Sequence, residues 1–268
     1  MKKTGLKRQD GDKFYTKKLV VDECMKAVLE KIDLSGLLVI EPSAGDGAFI
    51  DAIKQSAALH KFYDIEPHHP DIIKCDFLET NISDDTNSIC FIGNPPFGRQ
   101  SSLAIKFIKK CCMIGDFVCF ILPSSFKKQS MQRHFPLKFH LLHERNIQED
   151  GFIVDGSSHN VPCVFQIWKK YDTDREVVTK QEPVGFAFVK KEENPDVAFR
   201  RVGVNAGNIY TAIDDKSEQS HYFIKFNQGL DNYSCIESMK KLVFPSDNTV
   251  GPKSISKQEL IATMNGKL

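Results

Sequence analysis

The sequence predicts an α/β protein with a mostly parallel central sheet, helices on both faces, and a small strand-rich C-terminal appendage. Two observations carry this. From Thr16 to about Lys170, strand-like apolar runs alternate with segments of helical period, the pattern of parallel strands joined by crossover helices. After roughly Tyr171 the pattern changes to short apolar runs without long helices between them. The length of 268 residues accommodates one large domain, or one domain with a smaller addition.

In chain order, Val20, Val21, Cys24, Met25, Ala27, Val28 and Ile32 recur at helical spacing with polar residues between them. LLVIEPSAGDGAF, from Leu37 to Phe49, is a β-branched apolar run that ends in a glycine-rich turn, and AIKQSAAL is a second helix. HKFYDIEP reads as a strand, SICFIGNPPF as a later one, and SLAIKFIKKCCMI as a helix. DFVCFILP is a strand running into a proline, and VPCVFQIWKK a further apolar strand. The polar stretch DTDREVVTKQEP reads as a surface connection. GFAFVKK, AFRRVGVNAGNIY and HYFIKF then read as short strands. The expected division is a catalytic region over residues 1–172 and a small strand-rich region over 173–268.

A hydrophobic content of 41% and a charged content of 26% describe an ordinary globular protein. The net charge is +1, so affinity for nucleic acid has to come from local clusters of cations. The eight cysteines show no paired spacing of a zinc site, and most lie in apolar runs such as FVCFIL and VPCVFQIW. They predict reduced thiols and a cytoplasmic or nuclear protein without a bound metal. The basic start, MKKTGLKRQDGDK, is not followed by an apolar stretch, so no signal peptide is expected. No run approaches the roughly 20 apolar residues of a membrane span.

The chemistry concentrates in two places. Gly45 and Gly47 let the chain turn sharply at the end of a strand and approach a ligand closely. The turn lacks the GxGxxG spacing of dinucleotide binders and the GK[ST] ending of a phosphate loop. It carries acids instead, Glu41 before it and Asp46 within it, which suit a cationic amine or ribose hydroxyls better than a polyphosphate. Asp64 follows about 20 residues after the glycines, where such folds hydrogen-bond a ribose; Glu66 competes for the role. Asp76 comes next, beside Phe77, which is placed to flank an adenine ring. The second place is CFIGNPPFG, where a core strand breaks into Asn94, Pro95, Pro96, Phe97 and Gly98.

EPSAGDGAF, followed in order by DIEP, CDF and NPPF, resembles the motif series of the S-adenosylmethionine-dependent N6-adenine nucleic-acid methyltransferases. DKFYTKKLVVDECM resembles the segment that closes over the cofactor in that family, with Lys17 in place of its usual proline. The resemblance spans about Lys13 to Lys170 and implies a Rossmann-like methyltransferase fold. It implies that Phe14, Tyr15 and Thr16 contact S-adenosylmethionine, and that Glu41, Ser43, Ala44 and Gly45 line its methionine part. Asp64 would take the ribose hydroxyls, Asp76 and Phe77 the adenine, and Asn94 would border the cofactor as well.

For catalysis it implies that the Asn94 side-chain oxygen and the Pro95 carbonyl hold the two protons of the target amine. Pro95 and Pro96 would fix the backbone, and Phe97 would stack on the base. Lys127 and Lys128 in FILPSSFKKQS are candidates for phosphate contacts, with a solvated basic loop as the competing reading, and Phe152 for a second aromatic against the target base, with a core role as its competing reading. Arg200 and Arg201, in FRRVGVNAGNIY, are candidates for target recognition, with a packed hairpin as the competing reading.

The expected activity is methyl transfer to N6 of adenine in nucleic acid, with DNA slightly preferred over RNA. Methylation of RNA, N5-methylation of a protein glutamine, and an inactive binding subunit of the same fold are the alternatives. The appendage is small for a target-reading domain, which leaves room for a homodimer or a partner subunit.

Overall fold

Alternate residues of the apolar strands face opposite sides of one sheet, and each side meets its own helices. The protein is described here by a computed structural model over residues 15–82, 88–148, 151–154, 157–245 and 253–267. The chain divides into two compact units, Met1–Glu176 and Val177–Leu268.

The first unit opens with β1 (Tyr15–Thr16) and α1 (Lys18–Lys31), whose buried stripe is Val20, Val21, Cys24, Met25, Ala27 and Val28. Next come β2 (Leu38–Glu41), α2 (Ile50–Ser56), β3 (Leu59–Asp64), β4 (Ile73–Lys74) and β5 (Ile89–Gly93). α3 (Ser102–Ile114), β6 (Phe117–Pro123), the short α4 (Gln129–Gln132) and β7 (Phe139–Asn146) follow. β8 (Phe152–Val154), β9 (Ser157–His159) and β10 (Cys163–Lys170) complete the unit.

The seven-stranded sheet has the order β4-β3-β2-β5-β6-β10-β7. The pairings from β4 through β6 are parallel, whereas β10 runs antiparallel to both β6 and β7. Val39, Cys90, Ile92, Cys119, Ile121, Phe165 and Ile167 pack with α1 and α2 on one face. Leu38, Ile40, Phe91, Val118, Phe120, Leu122 and Trp168 pack with α3 on the other. This period-two exchange explains the unbroken apolar runs: each strand is buried on both sides. It is the mostly parallel, doubly covered, Rossmann-like sheet that the sequence predicts. β7, with its mixed polar and apolar residues, was not distinguished in the sequence. A smaller three-stranded sheet has the order β1-β8-β9, with Thr16 paired to Phe152.

Arg175 closes the far edge of the unit. Its guanidinium donates to the carbonyls of Gln132, Phe135, Pro136 and Phe139, and it lies 5.4 Å from the ring centroid of Trp168. Four carbonyls around one planar cation suit arginine and no other side chain. Arg175→Ala is expected to lower unfolding stability by about 1.5–3 kcal/mol, with Arg175→Lys recovering little of it, as read by denaturant titration.

The second unit is a four-stranded sheet of β11 (Phe186–Val189), β12 (Val197–Arg200), β13 (Ile209–Tyr210) and β14 (His221–Phe226), in the order β11-β14-β12-β13. Two helices, α5 (Asn232–Lys240) and α6 (Lys257–Met264), contribute Cys235, Met239, Leu260, Ile261 and Met264 to its core. The strands match the short apolar runs; the helices are an addition to the strand-rich expectation. Among the described residues, no helix is long and apolar enough to cross a membrane.

Candidate active site

The glycine-rich turn after β2 is held by the end of β3. Ala44 N–H donates to the Tyr63 carbonyl at 2.8 Å, and Gly45 N–H donates to Asp64 Oδ2 at 2.8 Å. The other Asp64 oxygen accepts from Glu66 N–H at 2.8 Å, so Asp64 faces the turn while Glu66 follows it as an exposed residue. Gly45 has φ +55°, and a Cβ there would lie 3.7 Å from the Tyr15 ring, which therefore covers the turn. β1 thus brings Tyr15 over the glycine turn.

Glu41, the last residue of β2, is only 2% exposed, and its Oε2 has no hydrogen-bond partner among the described residues. Burial, followed by the negative charges of Asp46 and Asp64, holds its carboxyl well above the usual range. Burial also raises Asp46. The space beside Glu41 exists because residue 93 is glycine, with φ +151°. A Cβ at that position would meet Glu41 Cγ at 3.1 Å and Oε1 at 3.2 Å.

At the end of β5, next to β2, Asn94 is fixed from two directions. Its Nδ2 donates to Thr16 Oγ1 at 3.2 Å, and its backbone carbonyl accepts from Ser43 Oγ at 3.4 Å. With Nδ2 committed to Thr16, Oδ1 is the acceptor end of the amide. Pro95 is buried, Pro96 exposed and Phe97 half-buried. The Phe97 carbonyl accepts from Leu103 and Ala104 N–H, which ties the corner to the first turn of α3. Between them Gln100 and Ser101 adopt φ of +52° and +62°, a left-handed pair without glycine. Such strain costs about 1–3 kcal/mol per residue and persists only where the surroundings impose it.

Tyr15, Thr16, Glu41, Ser43, Ala44, Gly45, Asp64 and Asn94 therefore meet at the carboxyl ends of β2, β3 and β5. Asp76 lies just past β4, exposed, with Oδ1 accepting from Leu78 N–H at 2.9 Å. Phe14 lies outside the described residues. Lys127 and Lys128 are half-buried in the turn after β6, whose Phe126 carbonyl accepts from the buried Gln166 amide at 3.1 Å.

Two aromatic assignments are corrected. Phe77 is 2% exposed, stacked on Phe107 at 5.6 Å and set edge-on to Phe91 at 5.8 Å, with Lys110 Nζ 5.2 Å over its ring. Its ring is a core contact, not a flank for adenine. Phe152 is 0% exposed and packs in the core with the α1 side chains, so it does not stack on a target base. Both sit in strands or turns where a buried aromatic and a ligand-facing one have the same sequence signature.

In the second unit, Arg200 and Arg201 belong to a hairpin, as the competing reading had it. Arg200 donates to the Val202 carbonyl and Ser220 Oγ, and Arg201 to the Gln219 carbonyl and the Tyr222 hydroxyl. Arg200 is a structural tie of this turn, which replaces its proposed role in target contact. Sequence reasoning missed Gly93, although a glycine directly before NPPF is its visible signal.

No protein-family model matches the chain, and no curated protein does. Over 56% of its length the chain is similar in structure to a proposed RNA methyltransferase from Pyrococcus horikoshii, at 18% identity, 82% coverage of that chain and a TM-score of 0.43. It is similar over 60% of its length to the 23S rRNA methyltransferase ErmE, at 13% identity, 71% coverage and a TM-score of 0.45. A third similar structure is the magnesium protoporphyrin IX methyltransferase from Synechocystis PCC 6803 with bound SAM, at 12% identity. That likeness covers 57% of this chain and 79% of the other, with a TM-score of 0.42. Among the described residues no group of three His, Cys, Asp or Glu side chains is placed to hold a metal ion.

Proposed function

We propose that the first unit binds S-adenosylmethionine and methylates N6 of adenine in nucleic acid. The observation that carries this is the double fixation of Asn94, through Thr16 and Ser43, beside the glycine turn and the orphaned carboxyl of Glu41. The residues present fit the cofactor. A buried carboxyl with one oxygen unpartnered among the described residues suits an α-ammonium group, and Asp64 and Asp76 at adjacent strand ends suit ribose hydroxyls and an adenine edge. When bound, S-adenosylmethionine supplies an electrophilic methyl group on a sulfonium.

The exocyclic amine of adenine is a weak nucleophile because its lone pair is delocalised into the ring. Asn94 Oδ1 and the Pro95 carbonyl accept hydrogen bonds from its two N–H groups and favour a tetrahedral nitrogen. Phe97, half-buried at the corner, offers the base a stacking surface. A strong general base is unnecessary if the proton leaves after the methyl has transferred. Lys127 and Lys128 are assigned to backbone phosphates, and residues 173–268 to target recognition, with catalysis in residues 1–172. DNA is favoured slightly over RNA. A duplex target requires its adenine to be flipped out, at a cost of a few kcal/mol.

The deciding experiment offers labelled S-adenosylmethionine with duplex DNA, single-stranded DNA, RNA and protein. Label recovered as N6-methyladenine supports the reading. Label on a glutamine amide, or on no substrate, overturns it. Asp64→Ala should weaken cofactor binding by about 1.5–3 kcal/mol in calorimetry, since it removes both a ligand acceptor and the tie to Gly45. Unchanged affinity would discard its ribose role.

A further inference from the structure

The second unit carries a cation-rich aromatic cleft that the catalytic reading leaves unused. Phe188 of β11 and Tyr222 of β14 meet edge to face, with ring centroids 5.5 Å apart. Lys257 Nζ stands 4.5 Å from the Phe188 centroid and 5.8 Å from that of Tyr222, and the Arg201 guanidinium is 5.4 Å from Tyr222. Lys190 and Glu218 also line the cleft, so three cations face one carboxylate. Its volume is about 260 Å³. That is below the roughly 300–1,000 Å³ of pockets that engulf a small molecule, and it suits one segment of an extended chain.

Lys257 is the first residue of α6, whose start is closed by a reciprocal cap between Ser256 and Glu259. A lysine there opposes the positive end of the helix dipole, where an acid would stabilise the helix. The cation is thus held where the helix dipole disfavours it, over an aromatic ring that also lines the cleft. Cations beside half-exposed aromatic faces match the two repeating parts of a single nucleic-acid strand: phosphates for the cations and bases for the rings.

We propose that this cleft binds single-stranded nucleic acid, with a base against Phe188 and Tyr222 and the flanking phosphates at Lys257, Lys190 and Arg201. The biological sense of this site rests on the reading of the first unit as a nucleic-acid methyltransferase; its binding chemistry does not.

The test uses the full chain and adenine-free probes, fluorescein-labelled oligothymidine and oligouridine, followed by anisotropy over a range of salt concentrations. Native protein should bind at least one probe. Lys257→Ala should weaken that binding and reduce the slope of log K against log salt by about 0.7, while leaving the melting temperature unchanged or higher. Phe188→Leu, which keeps the apolar packing, should weaken binding about five- to a hundredfold. No binding by the native chain, or unchanged affinity and slope in folded Lys257→Ala, overturns the proposal. The probes lack adenine and so report binding alone: Lys257-dependent binding to them, with no methyl transfer to adenine-containing DNA or RNA in the labelled-cofactor assay, would keep this site and remove the catalytic reading. Methyl transfer to adenine with binding indifferent to Lys257 would do the reverse.

Discussion

Asn94→Ala is expected to lower the rate of methyl transfer roughly a hundred- to a thousandfold, equivalent to about 2.7–4 kcal/mol of lost electrostatic positioning. On the proposed mechanism the substitution removes one of two acceptors that would align the target amine, and leaves the other, the Pro95 carbonyl, in place. Cofactor affinity should change little, because the acceptor acts on the target. Single-turnover transfer, with cofactor binding measured separately on each variant, makes the distinction. Asn94→Asp keeps an oxygen at the same position, and the Thr16 hydroxyl, which now accepts from Nδ2, can donate to the carboxylate instead. Residual activity above that of the alanine variant is therefore expected. Near-normal chemistry in folded Asn94→Ala would make NPPF a turn only, and the adenine assignment would go with it.

Glu41→Gln should move stability and cofactor affinity in opposite directions. In the ligand-free protein the carboxyl is buried without a partner for Oε2, and burial and neighbouring charge raise its pKa. Between the ordinary glutamate value and the raised folded value, the folded chain keeps a proton that the unfolded chain has shed. Native stability therefore falls with rising pH across that window. Glutamine cannot ionise, so this fall disappears from the variant. Below the ordinary glutamate value the two proteins should unfold alike; above the window the variant should be more stable by about 1–3 kcal/mol. Binding should change the other way. A buried carboxylate facing an ammonium group is one half of a pair whose disruption costs about 3–5 kcal/mol, a loss of at least a hundredfold in affinity. Calorimetric titration at neutral pH, together with melts across the pH range, reads both effects. Equal cofactor affinity in the two proteins would remove Glu41 from the binding site.

The parallel sheet was legible because its strands are buried on both faces, so Val39, Phe91 and Phe120 lie in apolar runs that no surface strand tolerates. The pairing of the glycine turn with Asp64 was legible too, since Gly45 and Asp64 are chemically distinctive and their spacing follows from one crossover. Burial of single aromatics was not. Phe77 and Phe152 stand next to chemically suggestive residues, but which way a ring points depends on distant partners such as Phe107 and α1. The ties that hold Asn94 were equally invisible, because Thr16 lies 78 residues away and meets it only through β1. In the second unit the short apolar runs revealed the strands. The amphipathic stripes of α5 and α6 are each only two or three turns long, too short to stand out as a period.

Gly93 has a consequence for how this site can change over time. A Cβ at position 93 would crowd the Glu41 side chain at 3.1–3.2 Å and would sit on a backbone of φ +151°, so the two positions share one tight contact. Neither can drift independently. Among descendants and relatives of this chain, a side chain at position 93 should occur only where position 41 has lost length, and glutamate at 41 should travel with glycine at 93. An alignment deep enough to register paired change would show these two columns as co-varying neighbours, across 51 intervening residues.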